Sequence, residues 1–124
     1  MRSFENLLLA VRSPQESAKL YEQLFDGKPV ESSPNFVLFV LPNGFKFGLW
    51  AAHDVQPKPN NPGGSELCFI QPSRAEVLVR FEEWKKLGLK VLQEPVEMDF
   101  GFTFTCEDSD GHRLRAYMLA ENPQ

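Results

Sequence analysis

Cysteine and histidine are scarce: the 124 residues hold two of each, Cys68, Cys106, His53 and His112. Two cysteines are too few for a disulfide framework, so two thiols in a reducing compartment are expected. No stretch approaches the roughly 20 consecutive apolar residues that a bilayer-spanning helix needs. The first residues lack the basic, apolar and small-residue blocks of a signal peptide. A cytoplasmic protein with no membrane partner is therefore expected. A Lys/Arg stripe is also missing. The 13 basic and 17 acidic residues are interspersed and sum to −4, which argues against a nucleic-acid partner.

What the chain does have is aromatic and apolar mass. With 42% hydrophobic residues it can bury a small core within one domain, taken as residues 1–124. Eleven Phe and two Trp first suggest core filling, and second the walls of an apolar pocket.

One plan runs through the chain twice. FENLLLAV (4–11) is a short apolar strand. Ser13-Pro14-Gln15-Glu16 follows as a capping box with proline at the first helical position. The spacing predicts a helix over 14–25 with Ala18, Tyr21 and Phe25 on one face, capped by Gly27. KPVESS, NFVLFVLP and FKFGLWA read as strands, the last two joined by a turn at Pro42-Asn43-Gly44. In the second half, ELCFIQ is a strand and Ser73-Arg74-Ala75-Glu76 a second capping box. A helix over 74–87 carries Val77, Phe81 and Trp84 and closes at Gly88. LKVLQEP, FGFTFTCE and RLRAYML are then strands. The turn Ser109-Asp110-Gly111 echoes the earlier one.

The predicted class is α+β: two βαβββ modules in tandem, about 1–53 and 65–120, whose curved sheets enclose a cavity. A Pro/Gly linker of about 54–64 joins them. An ordinary α+β sandwich without a cavity is the alternative. Within EDSDGHRLRAYM (107–118), alternation places Arg113, Arg115 and Tyr117 on one strand face and Leu114, Ala116 and Met118 on the other. The charged face could meet water or line a pocket.

This order of elements resembles the vicinal oxygen chelate superfamily, which includes glyoxalase I, extradiol dioxygenases and the bleomycin and mitomycin resistance proteins. AVRSPQESAKLYEQLFDGKPV is similar to its first strand, helix and turn, and EDSDGHRLRAYM to its final hairpin. The resemblance implies the fold, a tendency to form homodimers, and a divalent-metal site on the first and last strands of each half. Those four positions fall here on Asn6, Gly48, Glu66 and Arg115. A catalytic zinc site takes about three His, Cys or carboxylate ligands. Asn is a weak ligand, Gly offers no side chain, and the fixed cation of Arg would repel a divalent ion. His53 and His112 lie off the inferred cavity strands. No metal and no other cofactor are expected.

The expected ligand-binding set is Asn6, Leu8, Lys46, Gly48, Trp50, Glu66, Cys68, Arg113, Arg115 and Tyr117. Trp50 and Tyr117 would form an aromatic wall, and Gly48 would leave room for a ligand. Glu66 and Arg115 would either orient a polar, planar ligand or fill the vacated site as an internal salt bridge. The favoured function is a metal-free binding protein, not an enzyme, sequestering an aromatic or cationic compound such as an antibiotic. One alternative is a divalent-metal-dependent lyase, isomerase or dioxygenase with displaced ligands. Another is metal-independent acid–base catalysis by Glu66, which a neighbouring Arg115 disfavours. Phe100, Phe102, Phe104 and Cys106 alternate along one face, which meets either the helix or the cavity, with the core favoured.

Overall fold

Ser13 and Ser73 each open a helix by accepting the backbone N–H three residues on, from Glu16 at 3.3 Å and Glu76 at 3.1 Å. That bond satisfies one of the amides a helix start leaves without an internal partner. In the computed structural model, which describes residues 1–120, α1 spans Pro14–Phe25 and α2 spans Arg74–Lys86. Gly88 ends α2 as expected, at φ 90°. Its N–H donates to the Lys85 carbonyl at 3.0 Å, and that of Leu89 to the Trp84 carbonyl at 3.2 Å. This is the paired pattern of a left-handed helix stop. The end of α1 departs from expectation: Asp26, not Gly27, takes the left-handed conformation, at φ 52°. Aspartate tolerates that region because its short polar side chain can bond locally.

The first four-stranded sheet has the order β1-β4-β3-β2, built from β1 (Asn6–Val11), β2 (Glu31–Ser33), β3 (Phe36–Val40) and β4 (Lys46–Ala51). The second has the order β5-β8-β7-β6, from β5 (Glu66–Ile70), β6 (Lys90–Met98), β7 (Gly101–Glu107) and β8 (Arg113–Leu119). In each, the first strand runs parallel to the last and the other pairs are antiparallel. The fold is α+β, with one βαβββ module after another. The chain divides into two compact units, Met1–Asn60 and a second beginning at Asn61. No helix among the described residues is long and apolar enough to cross a membrane.

Each sheet buries one face against its own helix. In the first unit, Phe47 of β4 meets Tyr21 at 4.9 Å and Phe25 at 5.0 Å between ring centroids. Leu9, Val11, Val37, Phe39 and Leu49 complete that buried face. In the second unit, Phe104 packs edge-on against Phe81 and Trp84, each at 5.1 Å. Phe102, Cys106, Leu114 and Ala116 are buried with it. Because side chains alternate across a strand, this burial turns residues 46, 48 and 50, and 113, 115 and 117, to the opposite faces. β6 runs three residues beyond its expected end at Pro95. Its pairing with β7 breaks register between Val91 and Gln93 and again between Gln93 and Val96. The second break is what admits Pro95, which can give no ladder hydrogen bond.

Candidate functional site

On the helix-free face of the second sheet, Arg115 is held at every edge of its guanidinium. Its Nε donates to Glu66 Oε1 at 2.8 Å and its Nη2 to Glu66 Oε2 at 3.1 Å. Nη1 donates to Gln93 Oε1 at 3.1 Å and to Thr103 Oγ1 at 3.2 Å. Thr103 in turn donates to the Ala116 carbonyl at 2.9 Å, and Thr105 to Gln93 Oε1 at 3.2 Å. The ion pair is a fork-to-fork contact, the strongest geometry open to these groups. Both partners are largely shielded, with side chains 16% (Arg115) and 26% (Glu66) exposed. The contact is diagonal: in the β5–β8 ladder Glu66 stands opposite Arg113 and Cys68 opposite Arg115.

The electrostatics follow from that geometry. The hydrogen bonds from Arg115 hold the Glu66 carboxyl below its ordinary range, against the opposing effect of burial, with further help from the charges of Arg115 and Arg113. Glu66 holds the Arg115 guanidinium more firmly protonated. A carboxylate in this state is a poor general base, so the arrangement does not support acid–base catalysis by Glu66. The Cys68 thiol is pushed up, first by its partial desolvation against the sheet and then by Glu66, with Arg115 opposing. Cys68 is exposed, whereas Cys106 is buried on the helix side and pushed up to about 11. Both are free thiols.

Tyr117 lies at the other end of this face, opposite Ile70. Phe100 meets it edge-on at 6.2 Å and lies 5.8 Å from the Arg115 guanidinium carbon. Phe100 therefore departs from Phe102, Phe104 and Cys106, with which it had been assigned to the core. The cause is Gly101, at φ 148°, which breaks the strand alternation between them. A Cβ on Gly101 would collide with the Met118 carbonyl oxygen, so only glycine fits.

The other expected site residues lie in the first unit. Asn6 pairs in register with Lys46, Leu8 with Gly48, and Ala10 with the half-buried Trp50. Gly48 does not leave open space, as the sequence reading had it. A Cβ there would stand 2.6 Å from Leu8 Cδ2 and 3.1 Å from Phe36 Cζ, so those two side chains already cover it.

Sequence reasoning missed Gln93, Thr103, Thr105 and Phe100. The two threonines carried a signal, alternating with phenylalanine in GFTFTCE. The register breaks around Gln93 leave no such signal.

The implied divalent metal does not fit these residues. Both oxygens of Glu66 accept from Arg115, and the fourth position is that guanidinium itself. Among the described residues no group of three or more His, Cys, Asp or Glu side chains is placed to hold a metal ion.

The sequence profile of the Glyoxalase/Bleomycin resistance protein/Dioxygenase superfamily matches residues 3–116. Among solved structures, a protein of Agrobacterium tumefaciens determined by solution NMR is 46% identical, with a TM-score of 0.89. The match covers 97% of this chain and 99% of that one. A glyoxalase-related enzyme from Fulvimarina pelagi is 21% identical with a TM-score of 0.83, over 95% of this chain and 88% of its own. Lactoylglutathione lyase from Agrobacterium tumefaciens is 14% identical with a TM-score of 0.71, over 94% and 92%. At those two identities the likeness is one of fold. No curated protein matches. With its repeated βαβββ order, and with the profile spanning nearly its whole length, the chain belongs to the glyoxalase/bleomycin resistance protein/dioxygenase superfamily.

Proposed function

We propose that this protein is a metal-free binding member of its superfamily, which holds a small organic compound without transforming it. One observation carries the reading: Arg115, at the fourth of the family's metal-ligand positions, consumes both oxygens of Glu66, at the third. A guanidinium fixed there repels a divalent cation and withdraws the one carboxylate that could hold it. Support for binding comes from the same sheet face, where Ile70 is 61% exposed and Cys68 and Arg113 are also exposed. Apolar, aromatic and charged groups thus stand together without a helix over them. The reading extends to a homodimer, which the family resemblance suggests, and to a cytoplasmic protein with one functional domain over residues 1–124, which its few cysteines and its length suggest.

The test is thermal unfolding of chelator-stripped protein, first with Zn²⁺, Ni²⁺, Mn²⁺ and Fe²⁺, then with aromatic compounds including bleomycin and mitomycin. A ligand at 100 times its dissociation constant adds about 2.7 kcal/mol of stability, a clear rise in melting temperature for a domain of this size. Stabilisation by organic compounds alone is the expected result. Stabilisation by a metal overturns the proposal and favours a metal-dependent lyase, isomerase or dioxygenase.

A further inference from the structure

On the open face of the second sheet, the charges do not cancel. The in-register pair of Lys90 and Glu107, 3.6 Å apart, is self-neutralising. Glu107 also stands opposite Arg113 in the β7–β8 ladder, so with Glu66, Arg113 and Arg115 the face sets three cations against two carboxylates, a surplus of one positive charge. The two arginines are used differently. Arg115 spends four of its five N–H donors on Glu66, Gln93 and Thr103. Arg113 has its Nη1 3.8 Å from Glu66 Oε2, beyond hydrogen-bond range, and its side chain is 45% exposed. Arg113, flanked in register by Glu66 and Glu107 but not hydrogen-bonded by Glu66, is therefore the guanidinium with donors to offer a ligand.

The face is also graded. Along β8, Arg113 marks its charged end, Arg115 its middle and Tyr117 its apolar end, where Ile70 and Phe100 gather. Four residues of strand span about 13 Å. From this charge and layout we infer that the ligand is a small organic anion, a carboxylate with an aromatic body. Its carboxylate takes the two-pronged contact Arg113 offers, and its ring lies toward Ile70 and Tyr117. Arg115 is a positioning residue, whose locked guanidinium keeps Glu66 from neutralising Arg113 fully. This inference rests on the binding function proposed above and narrows the aromatic or cationic compound expected from the sequence to an aromatic anion.

Three probes of one shape separate the possibilities: 2-naphthoate, the neutral 2-naphthylmethanol and the cationic 2-naphthylmethylammonium, titrated into the full chain by calorimetry. Naphthoate is expected to bind at least about tenfold tighter than the ammonium. Arg113→Gln should weaken it by roughly 10- to 100-fold, the worth of a charge-assisted hydrogen bond, and leave the alcohol unaffected. Backbone NMR shifts induced by naphthoate should centre on Cys68, Ile70 and Tyr117. Binding of the ammonium as tight as naphthoate, or naphthoate binding unchanged in Arg113→Gln, overturns the anion assignment while leaving a binding function in place. Failure of all three to bind overturns both.

Discussion

At the centre of β4 stands Gly48, and Leu8 and Phe36 close over it; at the matching place on β8 stands Arg115, and Glu66, Gln93 and Thr103 close around it. The two units share a strand order and a helix-covered face, yet they fill the same point of the sheet by opposite means. Apolar side chains folding over a glycine need no partner, and nothing is left unsatisfied. An arginine in the same place must have its donors met, because a shielded guanidinium without acceptors costs several kcal/mol. The second unit supplies those acceptors from three different strands. Among the described residues, no buried side-chain nitrogen or oxygen lacks a partner. A repeated backbone plan therefore fixes where a side chain points, and the sequence of each repeat decides whether that point is packing or chemistry.

The sharpest break between the units is at a turn. Gly101 opens β7 at φ 148° with the Met118 carbonyl where a Cβ would go. In the first unit the glycine at a positive φ is Gly44, at 90°, with nothing within 4 Å of its would-be Cβ. Gly101→Ala is expected to destabilise by about 3–4 kcal/mol, from backbone strain plus a clash that backbone alone must relieve. Gly44→Ala carries the conformational strain only, about 1 kcal/mol. Urea unfolding of both variants checks this, and equal losses would remove the distinction.

The ion pair comes next in size. Glu66→Gln should cost about 1–3 kcal/mol near pH 7, because Arg115 loses a charged acceptor in a shielded place. Gly48→Ala in the first unit should cost about 1–2 kcal/mol, since the Cβ displaces the flexible end of Leu8 and crowds the edge of the Phe36 ring. The Glu66 effect has a pH signature. Its carboxyl titrates lower in the folded chain than in the unfolded one, so its stabilisation is fully present above the ordinary carboxylate value of 4.5. It is lost as pH falls through the lowered folded value. The stability gap between wild type and Glu66→Gln should be flat above about pH 5.5 and shrink in more acid solution. A gap that stays constant down to pH 2 would show that the pair contributes shape and not charge.

The parts of this molecule that the sequence discloses are those fixed by near neighbours. Ser13 and Ser73 announce their helices because a cap reaches only three residues ahead. The faces of β4 and β8 follow from strict alternation, whereas placing Glu66 of β5 beside Arg115 took the family resemblance, since alternation does not say which strands are neighbours. Contacts between strands are less legible. That Leu8 and Phe36 cover Gly48 depends on the rotamers of side chains on two other strands. Gln93 reaches Arg115 only because β6 slips register on either side of it. Phe100 looked like the next member of an alternating row, until the positive φ of Gly101 turned it to the other face. Asp26 takes the left-handed position that the glycine after it would fill without strain.

The two cysteines give the finest comparison, since they sample opposite faces of the second sheet. Cys106 is buried among the rings beneath α2, with its thiol pushed up to about 11 by burial. Cys68 is exposed beside the ion pair, and its thiol is raised by partial desolvation and by Glu66 while Arg115 opposes them. Iodoacetamide should therefore alkylate Cys68 alone in the folded protein, reaching Cys106 only on unfolding. The rate at Cys68 should climb as pH rises past about 9, because the thiolate is the reacting form. Glu66→Gln removes a negative charge from beside the sulfur and frees the positive charge of Arg115, and both changes favour the thiolate. A rise in rate of a few-fold near pH 8 is expected in that variant, read by mass spectrometry of the modified peptide. An unchanged or slower rate would mean that neither charge of the Glu66–Arg115 pair acts on the Cys68 sulfur, solvent screening both.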